Sequence, residues 1–280
     1  SCTPCKEISG WTAPGFLCTW PNAVEYDLLD LSPVLYVSAL KPRPIPFLRR
    51  TRREFAGQAV PFRVGPYSTV SVVLDAGELT TGYLFLRLAG GAGAGVELLQ
   101  AECYLKKVPL HYDNYRDHPE KGDRTDASGI LAGYADHYTV LGTGTESRPE
   151  EYEPFWFRTF RYLKLSITTK AEPLAVLGLD YEETGYPLEV QTQVETSDPE
   201  MRRIWEISER SLRRCMHETY EDCPYYEQMQ YAMDSRSQIL FTYAIAADDR
   251  LARQCMEAFR RSVRPNGLLN ASYPNIGNNI

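Results

Sequence analysis

Between residues 68 and 181 the chain is patterned with a period of two. Residues 68–75 (STVSVVLD) and 82–88 (GYLFLRL) are rich in β-branched, leucine and aromatic side chains and predict strands. Residues 76–81 predict a short connection between them. The run Gly90-Gly91-Ala92-Gly93-Ala94-Gly95 predicts a turn into another strand over 96–105. Further strands are predicted over 134–141, 154–157, 160–168 and 174–181, with a polar surface loop over 106–131. In 160–168, Leu163, Leu165 and Ile167 alternate with Lys164 and Ser166, which marks one buried face. Strands at this spacing, with no helical period between them, predict an antiparallel β-sandwich over 54–188.

Near residue 190 the period lengthens. Ser197-Asp198-Pro199-Glu200 predicts a helix start, with Ser197 and Glu200 as a capping box. Met201, Ile204, Trp205, Ser208, Leu212, Cys215 and Met216 then recur at helical spacing to about 218. A second helix is predicted from about 227 to 246. A third is marked by Leu251, Cys255 and Phe259 and stops at the turn Arg264-Pro265-Asn266-Gly267. The fold class is therefore mixed, with separate all-β and all-α parts. Three helices do not close a helical domain, so residues 189–280 read as the first part of one. Before the strands, residues 1–40 read as the end of a preceding β-rich module. Residues 41–53, with Pro42, Pro44 and Pro46, read as an extended connector.

Charge and composition narrow the function. A net charge of −7 and a pI near 5.3 leave no basic footprint for nucleic acid. No apolar run is long enough to span a membrane. The glycine run has no Lys-Ser/Thr after it and precedes a strand, so it is no phosphate cradle. Seven cysteines are an odd number. Cys2-x-x-Cys5 resembles half of a zinc site without a second half, and neither metal nor cofactor is expected. The chain begins Ser-Cys-Thr, which leaves secreted and cytoplasmic localisation both open.

Candidate chemistry concentrates in residues 221–234, EDCPYYEQMQYAMD, where Asp222, Glu227 and Asp234 are interleaved with aromatic and thioether side chains. A carboxylate beside apolar rings has its charged form disfavoured, which suits a general acid. If Glu227 and Asp234 were both helical they would share one face about 10 Å apart along the axis. Glycoside hydrolysis needs one protonated acid at the leaving oxygen and a second carboxylate at the anomeric carbon. Among other residues, Trp156 and Trp205 read as core, His217 as a surface or capping residue, and Cys223 as a small hydrophobe. His111, His118 and His137 have no matching partner.

Residues 222–236 resemble the catalytic signature of the α-L-rhamnosidases of glycoside hydrolase family 78. Three more stretches resemble that family's landmarks in the same order: 41–46 (KPRPIP), 74–83 (LDAGELTTGY) and 152–162 (YEPFWFRTFRY). The resemblance implies β-sandwich modules followed by an (α/α)6 six-hairpin barrel that removes terminal α-L-rhamnose with inversion. It implies Glu227 as general acid, Asp222 and Asp234 as sugar-binding residues that tune it, and a general base beyond residue 280. The piece from 1 to 280 is then expected to be inactive alone, with a rhamnose-containing carbohydrate as partner. Arg236 is expected to pair with an acid. Tyr226 stands where many family members carry Arg, and Gln230-Tyr231 where Gly-Trp is common. Two other readings stay open: a non-catalytic carbohydrate-binding protein, and an (α/α)6 glycosidase of different sugar specificity.

Overall fold

Strands and helices fall where the two periods change over. A computed structural model describes residues 42–57, 60–106, 121–263 and 266–273. The module expected over 1–40, Cys2, Cys5, Cys18, His111, His118 and part of the 264–267 turn lie outside these. The described residues form β1 (Arg49–Arg53), β2 (Phe62–Val64), β3 (Thr69–Gly90), β4 (Gly95–Ala101), β5 (Tyr104–Leu105), β6 (Ile130–Leu131), β7 (Tyr134–Thr139), β8 (Glu150–Tyr152), β9 (Arg158–Thr168), β10 (Leu174–Gly185), α1 (Pro199–Arg214), α2 (Ala232–Ile245) and α3 (Arg250–Arg261). They divide into two compact units, Arg50–Thr184 and the residues from Gly185 onward with those just before Arg50.

The first unit holds an eight-stranded sheet of order β1-β10-β3-β9-β4-β7, with β2 also on β10 and β8 also on β3, and a separate two-stranded antiparallel sheet of β5 and β6. The spine of the larger sheet is β3. The sequence predicts two strands and a connection here, but the structure has a single strand of 22 residues. The reason is a bulge rather than a turn. Asp75 lies opposite Tyr162 and Thr80 opposite Phe160, so three extra residues are taken up without leaving the ladder. Gly77 supplies the positive φ of 85° there, and its N–H donates to Asp75 Oδ1 at 2.7 Å. Beyond Gly82, β3 pairs with β10 along one edge, and β8 joins it at Leu86–Leu88. Residues 49–53, read as connector, are an edge strand on β10. Residues 154–157, read as strand, are not one, and Trp156 is 44% exposed rather than core.

Alternation in β9 holds: Leu163, Leu165 and Ile167 are fully buried while Lys164 and Ser166 are only partly so. They pack in one core with Leu84, Leu86, Leu88, Leu98 and Phe160. Each such side chain removed from water contributes about 1.5–3 kcal/mol. The glycine run is a turn. Gly91 has φ 72°, and a Cβ there would sit 2.6 Å from Leu174 Cδ1.

In the second unit, Asp198 rather than Ser197 caps α1, its side chain accepting from the Glu200 N–H at 2.8 Å. Leu212 is the one buried residue of α1, and Met201 and Ile204 of the predicted stripe are each 53% exposed. The core is built instead from Leu212, Met216, Tyr220, Ile245, Leu251, Cys255 and Phe259, with Tyr186 and Leu188 ahead of α1. Trp205 packs against it while partly buried, in keeping with its core reading.

The turn into α3 is held by Asp248. Its carboxylate accepts from Arg250 Nε and Nη2 at 3.0 and 2.7 Å, from the Arg250 backbone N–H at 3.0 Å, and from Tyr186 Oη at 2.8 Å. The Arg250 guanidinium leads in holding its carboxyl down to about 2, and burial leads in pushing the Tyr186 phenol up to about 12.

Two outcomes test these packings. Leu165→Ala is expected to lower unfolding free energy in urea by about 2–5 kcal/mol, and Val73→Ala, on an exposed position of β3, by under about 1 kcal/mol. The depressed Asp248 carboxyl gives stability that is present above its ordinary value and lost as pH falls towards 2. Wild type is therefore expected to lose on the order of 1–2 kcal/mol more than Asp248→Asn between pH 4 and pH 2, read by thermal melts.

Candidate active site

The carboxylate stretch is a closed loop, not the start of a helix. The Asp222 N–H donates to the Met229 carbonyl, and the Met229 N–H donates to Asp222 Oδ1, both at 2.9 Å. This reciprocal pair ties the two ends of an eight-residue excursion together. Pro224 opens a turn over 224–227. Gln228 then has φ +54°, a left-handed conformation that costs a non-glycine residue about 1–2 kcal/mol. Its Nε2 offsets part of that by donating to the Pro224 carbonyl at 2.8 Å. A helix cannot run through such a residue, so α2 begins at Ala232, five residues later than the expected 227.

Glu227 therefore sits on the turn, exposed. Its Oε2 accepts a hydrogen bond from Tyr231 Oη at 2.5 Å, and its N–H points to Cys223 Sγ at 3.4 Å. Asp222 is half-buried at the loop's entrance, and Asp234 is exposed in the first turn of α2. Burial, then the charges of Glu221, Cys223, Asp222 and Asp234, push the Cys215 thiol up to about 12. Tyr225 is buried and Tyr226 is 53% exposed, their rings edge-to-face at 4.9 Å. Arg236, expected to pair with an acid, is exposed and has no ion pair among the described residues.

Two supports lie under the loop. One is a strap: the Tyr273 N–H donates to the Gln230 carbonyl at 3.1 Å, the Ala232 N–H to the Ala271 carbonyl at 3.0 Å, and Gln230 Nε2 to the Tyr273 carbonyl at 2.7 Å. Tyr231 and Ser272 face each other across this short antiparallel bridge. The other is a buried pair. His217, expected at the surface, is fully buried, with Nδ1 3.2 Å from Glu221 Oε2. Gln238 Nε2 of α2 donates to the Glu221 carbonyl at 2.6 Å, which anchors the residue just before Asp222. The sequence reading missed His217–Glu221 and Tyr231–Glu227. Both carry a spacing of four, a signal more usual within a helix than across a turn.

The arrangement offers an exposed carboxylate on a rigid loop, a second carboxylate at the loop's base and a third on the adjoining helix. Rings and a thioether stand among them. Among the described residues no group of three or more His, Cys, Asp or Glu side chains is disposed to hold a metal ion.

Residues 189–280 match the model of the bacterial alpha-L-rhamnosidase 6 hairpin glycosidase domain. The matched segment contains the loop, the strap and the three helices of the described residues. Solved rhamnosidases share the fold at low identity. The family 78 enzyme of Bacillus sp. GL1 is 21% identical at a TM-score of 0.59, covering 77% of this chain and 20% of its own. The Klebsiella oxytoca rhamnosidase, solved with rhamnose bound, is 20% identical at 0.61, covering 85% of this chain and 50% of its own. The Streptomyces avermitilis alpha-L-rhamnosidase, complexed with L-rhamnose, is 17% identical at 0.51, covering 84% and 21%. The chain thus spans a fifth to a half of the length of these proteins. No curated protein matches it in sequence. The fold common to them is an antiparallel sheet domain followed by helices.

His217→Ala takes away the partner of the buried Glu221 carboxylate. It is expected to lower unfolding free energy by about 1–3 kcal/mol in urea titrations, whereas Tyr226→Ala, on the exposed ring, is expected to cost under about 0.5 kcal/mol.

Proposed function

We propose that this chain supplies the acid half of a glycoside hydrolase site that removes terminal α-L-rhamnose with inversion. The observation that carries the reading is the exposed Glu227 carboxylate, presented on a loop pinned through Asp222, with Asp234 following in the first turn of α2, all within the segment that matches the six-hairpin glycosidase model. In this reading Glu227 is the general acid. It protonates the glycosidic oxygen as the bond to the anomeric carbon breaks. Asp222 and Asp234 accept hydrogen bonds from sugar hydroxyls, and Tyr226 offers an exposed ring for an apolar sugar face. A water on the opposite face attacks the anomeric carbon and gives its proton to a second carboxylate. We place that general base on a helix following residue 280, since the matching family has six hairpins and the described residues contain three helices.

Full-length protein is expected to release p-nitrophenol from its α-L-rhamnoside and to give the β-anomer first by proton NMR. Residues 1–280 alone are expected to release none. Release from a different aryl glycoside and not from the rhamnoside would overturn the sugar assignment. Glu227→Gln is expected to lower kcat on an alkyl rhamnoside by about 10²–10⁴. Asp222→Asn and Asp234→Asn are expected to raise KM. An unchanged kcat in Glu227→Gln would remove Glu227 from the acid role.

A further inference from the structure

An exposed glutamate on a turn has three rotatable side-chain bonds, and fixing such a side chain costs about 1.5–2 kcal/mol of rotamer freedom. A proton donor that must meet a glycosidic oxygen within hydrogen-bond reach needs that freedom removed beforehand. At Glu227 the restraint comes from one direction. Tyr231 Oη donates to Oε2 at 2.5 Å. The tyrosine is itself well placed to hold a position. It has only two side-chain torsions, and its backbone stands between Gln230 and Ala232, both of which are hydrogen-bonded to the strap. Gln230 is 2% exposed and Ser272, opposite Tyr231, is fully buried, so the base of this restraint is in the core.

We propose that Tyr231 is a positioning residue for Glu227, holding Oε2 so that Oε1 is the oxygen that carries and delivers the proton. The proposal rests on Glu227 being the acid of the site. With Oε2 occupied as an acceptor, the proton of the neutral carboxyl resides on Oε1. That proton passes to the glycosidic oxygen as the bond from the anomeric carbon to oxygen breaks, and the aglycone leaves as an alcohol. Negative charge then spreads over both carboxylate oxygens, and the Tyr231 O–H already points at one of them. The hydrogen bond strengthens as the charge develops, so it favours the transition state over the bound substrate.

Leaving-group chemistry separates this role from a structural one. A departing alkoxide needs the proton, whereas dinitrophenolate leaves without it. In the full-length protein, Tyr231→Phe is expected to lower kcat roughly tenfold on methyl α-L-rhamnoside, the scale of one hydrogen bond to a charged group. On 2,4-dinitrophenyl α-L-rhamnoside it is expected to stay within twofold of wild type, with KM little changed on both. Glu227→Gln provides the reference and is expected to show the same dependence more steeply. In a Glu227→Gln background, Tyr231→Phe is expected to add no further loss on the methyl glycoside. A loss in Tyr231→Phe that is equal on both substrates, or a full additional loss in the double variant, assigns Tyr231 to the structure alone and overturns the proposal. No loss on either substrate overturns it as well. If Glu227→Gln itself loses activity equally on both substrates, the acid assignment falls and takes this proposal with it, a result distinct from failure of Tyr231→Phe beside a leaving-group-dependent Glu227→Gln.

Discussion

Two hydrogen bonds between Asp222 and Met229 decide the character of the whole helical unit. They make Asp222 serve two purposes at once, as the closure of a loop through its Oδ1 and main chain and as a half-buried carboxylate at the loop's entrance. Closing the chain there forces it to reverse within a few residues. The strain of that reversal falls on Gln228, and the chain cannot resume helical geometry until Ala232. Everything that follows inherits its position from this closure: the start of α2, the stance of Tyr231, and the exposure of Glu227.

The unit is rigid beneath and open above. Below the loop, His217 is paired with Glu221 and Gln230 Nε2 with the Tyr273 carbonyl, while Gln230 Oε1 and Gln238 Oε1 are buried without a hydrogen-bond partner among the described residues. A buried polar group without a partner costs more than its hydrogen bond gains, so the paired groups define one arrangement sharply. Above the loop are carboxylates and a ring in contact with solvent. A site for a polar ligand with apolar faces needs this combination, because binding energy is wasted when the protein must first order itself.

Much of the architecture was legible in the chain. Leu163, Leu165 and Ile167 announced a buried face because the strand period leaves no other place for them. The glycine run announced a turn by its composition, and the structure adds that a side chain at Gly91 would collide with Leu174. What was not legible depended on partners distant in sequence. Nothing near residue 76 says that the chain stays in the ladder, since the strand holding it there is β9, more than eighty residues on. The capping residue of α1 was misplaced by one because Ser197 and Asp198 are both good caps and only the backbone angles choose. The helical placement of Glu227 failed, because a left-handed Gln carries no composition signal. His217 looked like a surface residue, since a lone histidine does not reveal that a buried glutamate faces it.

The unbroken β3 strand has a consequence for how the chain is made. Thr69 pairs with Thr168 and Gly82 with Glu183, so both edges of β3 wait about a hundred residues for their neighbours. During synthesis from the N-terminus, a long apolar ribbon with unpaired N–H and C=O groups exists before β9 and β10 have been added. Contacts this far apart in sequence form slowly, and an unpaired edge is a template for another chain. The helical unit also closes over long separations, since Ile45 packs in one core with Tyr186 and Leu212. The unpaired β3 ribbon is thus a point in synthesis at which association between chains competes with pairing within one chain.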